Sequence, residues 1–178
     1  MVKLSEVKVG MEFTDVVENI TREQIREYGF ASGDKNGIHM DDKVAELAGL
    51  KGVIAHGLLF MGFVGVMLTR LADEGRIVKW GGQFRGSVRP GDDVHTVAKV
   101  TKVEGNLVYL DIEQYSFTPL RIEKDGKVVK KFEGEERGWV SEKDVQAGCL
   151  KTKEVEEGTL HYRWRLSFPG YAVLELKD

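Results

Sequence analysis

The sequence predicts an α+β domain, and three observations lead there. Thr21-Arg22-Glu23-Gln24 forms a capping box that starts a helix, and residues 54–68 make an apolar run that reads as a buried one. From Ile77 onward the chain breaks into short β-rich segments separated by turn residues, the pattern of an antiparallel sheet following one apolar helix.

The elements follow in order. A strand is expected over residues 11–17. Thr21 and Gln24 can then satisfy each other's unpaired amides, and Ile25 and Tyr28 give the first helix its apolar face. Gly29 and Gly33 weaken that helix toward its end. Asp41 caps a short second helix carrying Val44, Leu47 and Ala48 and closed by Gly49. A third helix, over residues 57–72, is apolar on nearly every side, which a surface helix would not tolerate, so the sheet must wrap it. Strands are expected at 77–89, 93–103, 106–117, 120–123 and 127–138, with Pro90-Gly91-Asp92, Glu104-Gly105-Asn106 and the hairpin signal Asp125-Gly126 between them. Ser141 opens a brief helix ending at Gly148, and the charged stretch 151–157 reads as a solvated loop. Leu160, Tyr162, Trp164, Leu166 and Phe168 then alternate with polar residues, so one face is buried. Pro169-Gly170 is read as the turn of a C-terminal hairpin running into residues 171–176.

Composition bounds the function. A chain of 178 residues fits one domain, long enough to bury roughly 70% of its unfolded surface. With 42% hydrophobic and 31% charged residues it has the make-up of an ordinary globular protein, and a net charge of −3 gives no general field for nucleic acid. Cys149 is the only cysteine, which rules out an intrachain disulfide and a thiolate zinc cluster and fits cytoplasmic residence. The first residues show no secretory signal, and the apolar run 54–68 is short of the roughly 20 residues that cross a bilayer, so no membrane partner is expected.

Residues Ser32 to His39, Ser-Gly-Asp-Lys-Asn-Gly-Ile-His, carry the chemistry. Asp34 and His39 are five positions apart, a poor helical spacing, so they converge only if the chain bends. Gly33 and Gly37 permit the bend, and an acid/base pair becomes geometrically plausible. The spacings of His39, Asp41 and His56 match no metal motif, so no metal is expected. His56 reads as a structural histidine at a helix start, and His95 and His161 as surface residues on strands.

These residues also carry a resemblance. Phe30-Ala31-Ser32-Gly33-Asp34-Lys35-Asn36-Gly37-Ile38-His39, followed by Ile54-Ala55-His56-Gly57-Leu58-Leu59, resembles the signature of the MaoC-like dehydratases, the (R)-specific enoyl-CoA hydratase family. The likeness runs from about Gly10 through Phe84-Arg85-Gly86-Ser87-Val88-Arg89-Pro90-Gly91-Asp92 and fades near Val140. Two positions depart from the pattern: the family usually has proline at Gly37, and some members have serine at Gly65.

The resemblance implies a hot dog fold, with the sheet wrapped around the long apolar helix. It divides the chain into a hot dog domain over residues 1–140 and a C-terminal β-hairpin extension over 141–178, packed on the same domain or on a dimer partner. It further implies a hydro-lyase that interconverts 2-enoyl-CoA and (R)-3-hydroxyacyl-CoA, with coenzyme A as part of the substrate and no other cofactor. In that reading Asp34 takes a proton from a bound water, while His39 orients the water and delivers a proton to the α carbon. Asn36 shapes the loop and orients the water. The Gly57 amide, at the positive end of the buried helix, receives the thioester carbonyl. A homodimer is expected. The alternatives are a hot dog acyl-CoA thioesterase and a non-catalytic acyl-thioester-binding partner subunit.

Overall fold

After β1 (Glu12–Val17), the Thr21 hydroxyl accepts the Gln24 amide at 3.0 Å and the Gln24 side chain accepts the Thr21 amide at 2.8 Å, which starts α1 (Arg22–Ser32). This computed structural model describes residues 2–178. Gly33, at φ 80°, ends α1 in the left-handed region that favours glycine. The Asn36 side chain caps α2 (Gly37–Met40), and that of Asp41 caps α3 (Asp42–Leu47) by accepting the Lys43 and Val44 amides. α4 (Gly57–Ala72) has the bounds its apolar run foretells and buries Phe60, Val64, Met67, Leu68 and Ala72. No helix among the described residues is long and apolar enough to cross a membrane.

The remaining elements are β2 (Arg76–Gly82), β3 (Asp93–Glu104), β4 (Leu107–Lys124), β5 (Lys127–Lys131), α5 (Glu133–Glu136), α6 (Glu142–Gln146), β6 (Leu150–Val155) and β7 (Gly158–Glu175). The strands form one antiparallel sheet in the order β1-β3-β4-β7-β2, with β5 added to β4 and β6 to β7. Alternate residues of β3, β4 and β7, among them Val94, Leu110, Ile112 and Leu174, join the α4 side chains in one core. A sheet wrapped around a single helix is the hot dog fold. A polar bond ties the two layers together, because the buried Gln114 amide nitrogen donates to the Phe60 carbonyl at 2.9 Å and to the Thr96 hydroxyl at 3.0 Å.

Several expected boundaries move. Segments 106–117 and 120–123 are one strand, β4, which passes through Pro119 where Leu120 bulges from the pairing with β7. A proline lacks the ladder donor and fits a strand at such an irregularity. The segment 127–138 is β5 followed by α5. The charged stretch 151–157 is largely β6, an exposed edge strand whose lysines and glutamates keep it from pairing further. The C-terminal hairpin exists as β6 and β7 and does not turn at Pro169-Gly170.

Those two residues lie inside β7, next to a bulge at Ser167. The strand bends there and runs on between β4 and β2, so residues 141–178 share one sheet with residues 1–140. Close backbone packing explains the glycine: a Cβ on Gly170 would lie 2.6 Å from the Gly81 carbonyl oxygen. The bend also ends β2 at Gly82, short of the expected 89, and beyond it the pairing with β7 turns irregular, the Gln83 amide donating to the Pro169 carbonyl and the Arg85 and Gly86 amides both to the Ser167 carbonyl. Beyond the α4 core, the extended halves of β4 and β7 build a second small cluster from Phe117, Ile122 and Leu160.

Because β7 is interior to the sheet, its C-terminal half governs stability. Leu174 is 1% exposed and pairs with Val108 on one side and Ile77 on the other. Leu174→Ala is expected to lower unfolding free energy by about 2–5 kcal/mol, measured by urea denaturation; a change of a few tenths would show that this half of β7 is dispensable.

Candidate active site

The site begins where α1 stops. The Ser32 hydroxyl donates to the Tyr28 carbonyl at 2.7 Å and accepts the Asp34 amide at 3.3 Å, so the chain leaves the helix in a fixed turn. One Asp34 carboxylate oxygen accepts the Asn36 amide at 3.2 Å, and the Asn36 side-chain oxygen accepts the Ile38 amide at 3.2 Å. Asn36 thus does two jobs: its backbone orients the carboxylate, and its side chain starts the turn of helix that carries His39.

His39 is held from its other side. Its Nδ1 lies 2.7 Å from the Ile54 carbonyl oxygen, an atom that can only accept, so Nδ1 carries the proton and Nε2 keeps its lone pair. Burial lowers the His39 pKa below its ordinary 6.5; the Ile54 carbonyl opposes this, His56 adds to it, and Asp34 opposes it. The imidazole is therefore neutral at neutral pH.

The connection from Leu50 to His56 brings the second block alongside. His56 is 2% exposed, its Nε2 donates to the Asp34 carbonyl at 2.8 Å, and its ring stacks on that of His39 at 3.9 Å. It thereby positions both members of the pair. Gly29 makes room beneath, since a Cβ there would lie 2.8 Å from Met40 Sδ and 3.1 Å from the Asp34 carbonyl oxygen. Neither contribution is visible in the sequence, because each acts on main-chain atoms far along the chain.

One polar atom each of Asp34, His39 and His56 lie within 4.8 Å of one another. These are not the residues of the sequence-level metal test, for Asp41 is occupied in capping α3. Distance alone would allow a cation, but ligation needs each ring's lone pair to converge on one point. The two imidazoles stack face to face at 28°, and their in-plane lone pairs lie in adjacent planes. The arrangement suits proton handling instead. A water with two hydrogen bonds of about 2.8 Å spans a separation of this size.

Gly57 opens α4 beside this group. Its position precedes the first intrahelical acceptors, and no side chain caps the helix start, so an amide dipole points outward. A cavity of about 350 Å³ meets it, lined by His39, Ile54, Gly57, Phe60, Phe84 and Arg165 among others. A Cβ on Gly57 would lie 3.0 Å from the Phe84 ring. The four expected site residues, Asp34, Asn36, His39 and Gly57, are thus brought together. Asp34 itself is exposed.

The two departures from the family pattern have local causes. At Gly37 the φ is not positive, and its value as a hinge is not used; a Cβ would instead lie 2.5 Å from Val44 Cγ1. At Gly65 a Cβ would meet the Trp80 ring at 3.4 Å, an ordinary contact.

A model of the MaoC-like domain matches residues 6–108, more than half of the chain. The protein belongs to the MaoC-like domain family. Over 98 residues it is 33% identical to an (R)-specific enoyl-CoA hydratase of Rhodospirillum rubrum, covering 54% of this chain and 67% of that protein. Over 65 residues it is 45% identical to peroxisomal multifunctional enzyme type 2 of Drosophila melanogaster, covering 34% of this chain and 10% of that protein, so the chain spans about a tenth of that relative's length. In structure it is similar to the unliganded R-hydratase of Pseudomonas aeruginosa, with a TM-score of 0.66 at 16% identity, over 99% of this chain and 86% of that one. The (R)-hydratase from A. caviae gives 0.62 at 17%, over 96% and 97%. Those likenesses bear on the fold, which they match as hot dog.

The Gly37 geometry yields a test. Gly37→Pro, which restores the family residue, is expected to lower the melting temperature by several degrees because the ring meets Val44, and the further change Val44→Ala is expected to recover most of the loss. No rescue by Val44→Ala would mean that Val44 is not what excludes proline.

Proposed function

We propose that the protein is a hydro-lyase that reversibly hydrates 2-enoyl-CoA to (R)-3-hydroxyacyl-CoA. The observation that carries this reading is the His39 hydrogen bond to the Ile54 carbonyl, which leaves Nε2 as an acceptor on a ring that has one nitrogen within 4.8 Å of an Asp34 carboxylate oxygen. A water held between them donates one hydrogen bond to each. Its oxygen attacks C3 as Nε2 takes a proton, and the C2–C3 π pair moves onto the thioester oxygen as an enolate. The Gly57 amide receives that charge. Collapse of the enolate draws the proton from Nε2 to C2, so the water's OH and H are both delivered and the imidazole is restored. This alters the division of labour suggested by sequence: His39 both takes and returns the proton, and Asp34 holds the water and stabilises the imidazolium.

A positioned acid/base group contributes on the order of 10²–10⁴-fold. Asp34→Asn and His39→Ala are each expected to reduce crotonyl-CoA hydration at least about 100-fold, followed by loss of enoyl absorbance. A few-fold loss in either folded variant would remove the assignment. Release of free thiol instead would make the protein a thioesterase, and neither signal would make it a binder. The rate needs neutral His39, whose pKa lies below 6.5, so kcat/KM is expected to rise with pH through a midpoint below 6.5 and then level off. Asp34 raises that pKa, so residual activity of Asp34→Asn should have a lower midpoint still.

The coenzyme A ester is the only small-molecule partner in this reading, with no further cofactor and a cytoplasmic setting. A homodimer is the expected active unit. β1 and β2 are open sheet edges, Val78 on β2 is 47% exposed, and Asp34 needs a cover that this chain does not supply. Light scattering on active protein checks this, and a fully active monomer would contradict it.

A further inference from the structure

A second, smaller cavity of about 200 Å³ adjoins the thioester pocket, and Ser87 and Arg165 line both. Its charged lining consists of Lys51, Arg89, Arg163 and Arg165 against one carboxylate, Asp144. Asp144 pairs with Arg165 at 3.2 Å and with Arg163 at 3.9 Å, so one carboxylate is shared by two of the four cations. Most of their other contacts are to neutral groups. Arg163, 2% exposed, donates to the Trp139 carbonyl at 3.1 Å and the Thr118 hydroxyl at 3.0 Å, and its Nε has no acceptor among the described residues. Arg89 is buried too, stacked 4.8 Å over the Trp139 ring. Lys51 donates only to the Gly138 carbonyl, at 3.0 Å.

Buried guanidiniums that share too few counterions are costly. The next carboxylate, Asp92, is itself fully buried: burial pushes its pKa up to about 7 against the opposing pull of Thr118, Arg163 and Arg89, so its charge is held at a cost. Burial pulls Arg89 down to about 10, and repulsion from Arg163 adds to the shift. The cluster lacks negative charge, and the cavity has room for it.

We propose that this cavity binds an anionic oxygen group of the substrate, either a phosphate of the carrier arm or a carboxylate at the far end of the acyl chain. It rests on the hydratase reading for the identity of that substrate, but not for the anion site itself. Arg163 and Arg165 supply donors from β7 and Lys51 a movable one, while the Ser141 hydroxyl on the same wall is committed to Asp144 at 2.6 Å. Trp139, Ser141, Arg163 and Arg165 fall outside the segment matched to the MaoC-like domain, and Lys51, Ser87 and Arg89 within it.

Inorganic phosphate is the first probe, titrated against the full chain by calorimetry and by thermal shift. Wild-type protein should bind and be stabilised, and Lys51→Gln and Arg165→Gln should each weaken binding by roughly tenfold, the loss of one charge-assisted bond. Both sites are at least partly exposed, so folding is not at risk; Arg163→Gln, which could unfold the protein, is not needed. Turnover then separates the sources. If the carrier phosphate is bound, the variants raise KM for crotonyl-CoA roughly tenfold relative to KM for crotonyl-N-acetylcysteamine, which has no phosphate. If an acyl carboxylate is bound, they instead abolish a preference for an enoyl-CoA ending in a carboxylate over crotonyl-CoA. Phosphate binding by a protein that turns over none of these esters would refute the hydratase and keep the anion site. No phosphate binding, together with unchanged KM ratios in both variants, would overturn the proposal.

Discussion

Everything in this molecule depends on hiding α4. The helix is apolar on nearly all sides, and Phe60, Val64, Met67, Leu68 and Ala72 are buried, each large side chain being worth about 1.5–3 kcal/mol when removed from water. One flat face could not cover it, so the sheet must curl, and long strands that twist are what curl. Gln114 fixes how far the wrap has turned, because its amide reaches both the helix backbone at Phe60 and the neighbouring strand at Thr96. The start of α4 then falls at the rim, and the amide of Gly57 faces the cavity there. The outward amide at Gly57 is thus a consequence of burial.

Local chemistry made part of the fold legible. Thr21 with Gln24, Asp41, the limits of α4 and the Asp125-Gly126 turn are decided by groups a few residues apart, and each is where the sequence places it. Pro169-Gly170 is the instructive failure. A missing amide donor and a residue free of a side chain suit a chain reversal, and they equally suit a bend within a strand beside a bulge. What selects the bend is the close approach of Gly81 and Gly82 from β2, a long-range fact. The charged run 151–157 misleads for a similar reason, since only the presence of β7 beside it makes a solvated segment into an edge strand.

The candidate site shows the same division. Asp34 and His39 could be named because five-residue spacing on a glycine-bearing loop has few other uses, and the resemblance supplied Asn36 and Gly57. His56 could not be given its part, for its partner is a main-chain oxygen at Asp34 and its neighbour a ring on α2. Gly37 was read as a hinge because glycine bends freely, yet its backbone is ordinary and the absent side chain is filled by Val44. A glycine in a sequence tells that something would not fit or would not turn, and only packing says which.

The arrangement of charge around β7 bears on why the C-terminal half of the chain has its sequence. A domain of this kind has a net stability of about 5–15 kcal/mol, and replacing buried ion pairs by well-packed apolar residues is often neutral or stabilising. Arg89 and Arg163 therefore work against the fold they sit in, with carbonyl, hydroxyl and aromatic partners and a share of the Asp144 carboxylate offsetting only part of the desolvation. Arg163 lies on the same strand that carries Ala172 and Leu174 into the main core, so the strand that holds the sheet together also carries the charge. Stability alone would favour an apolar residue at that position. A cost retained on the central strand, next to the thioester pocket, is accounted for by a ligand that supplies the missing negative charge.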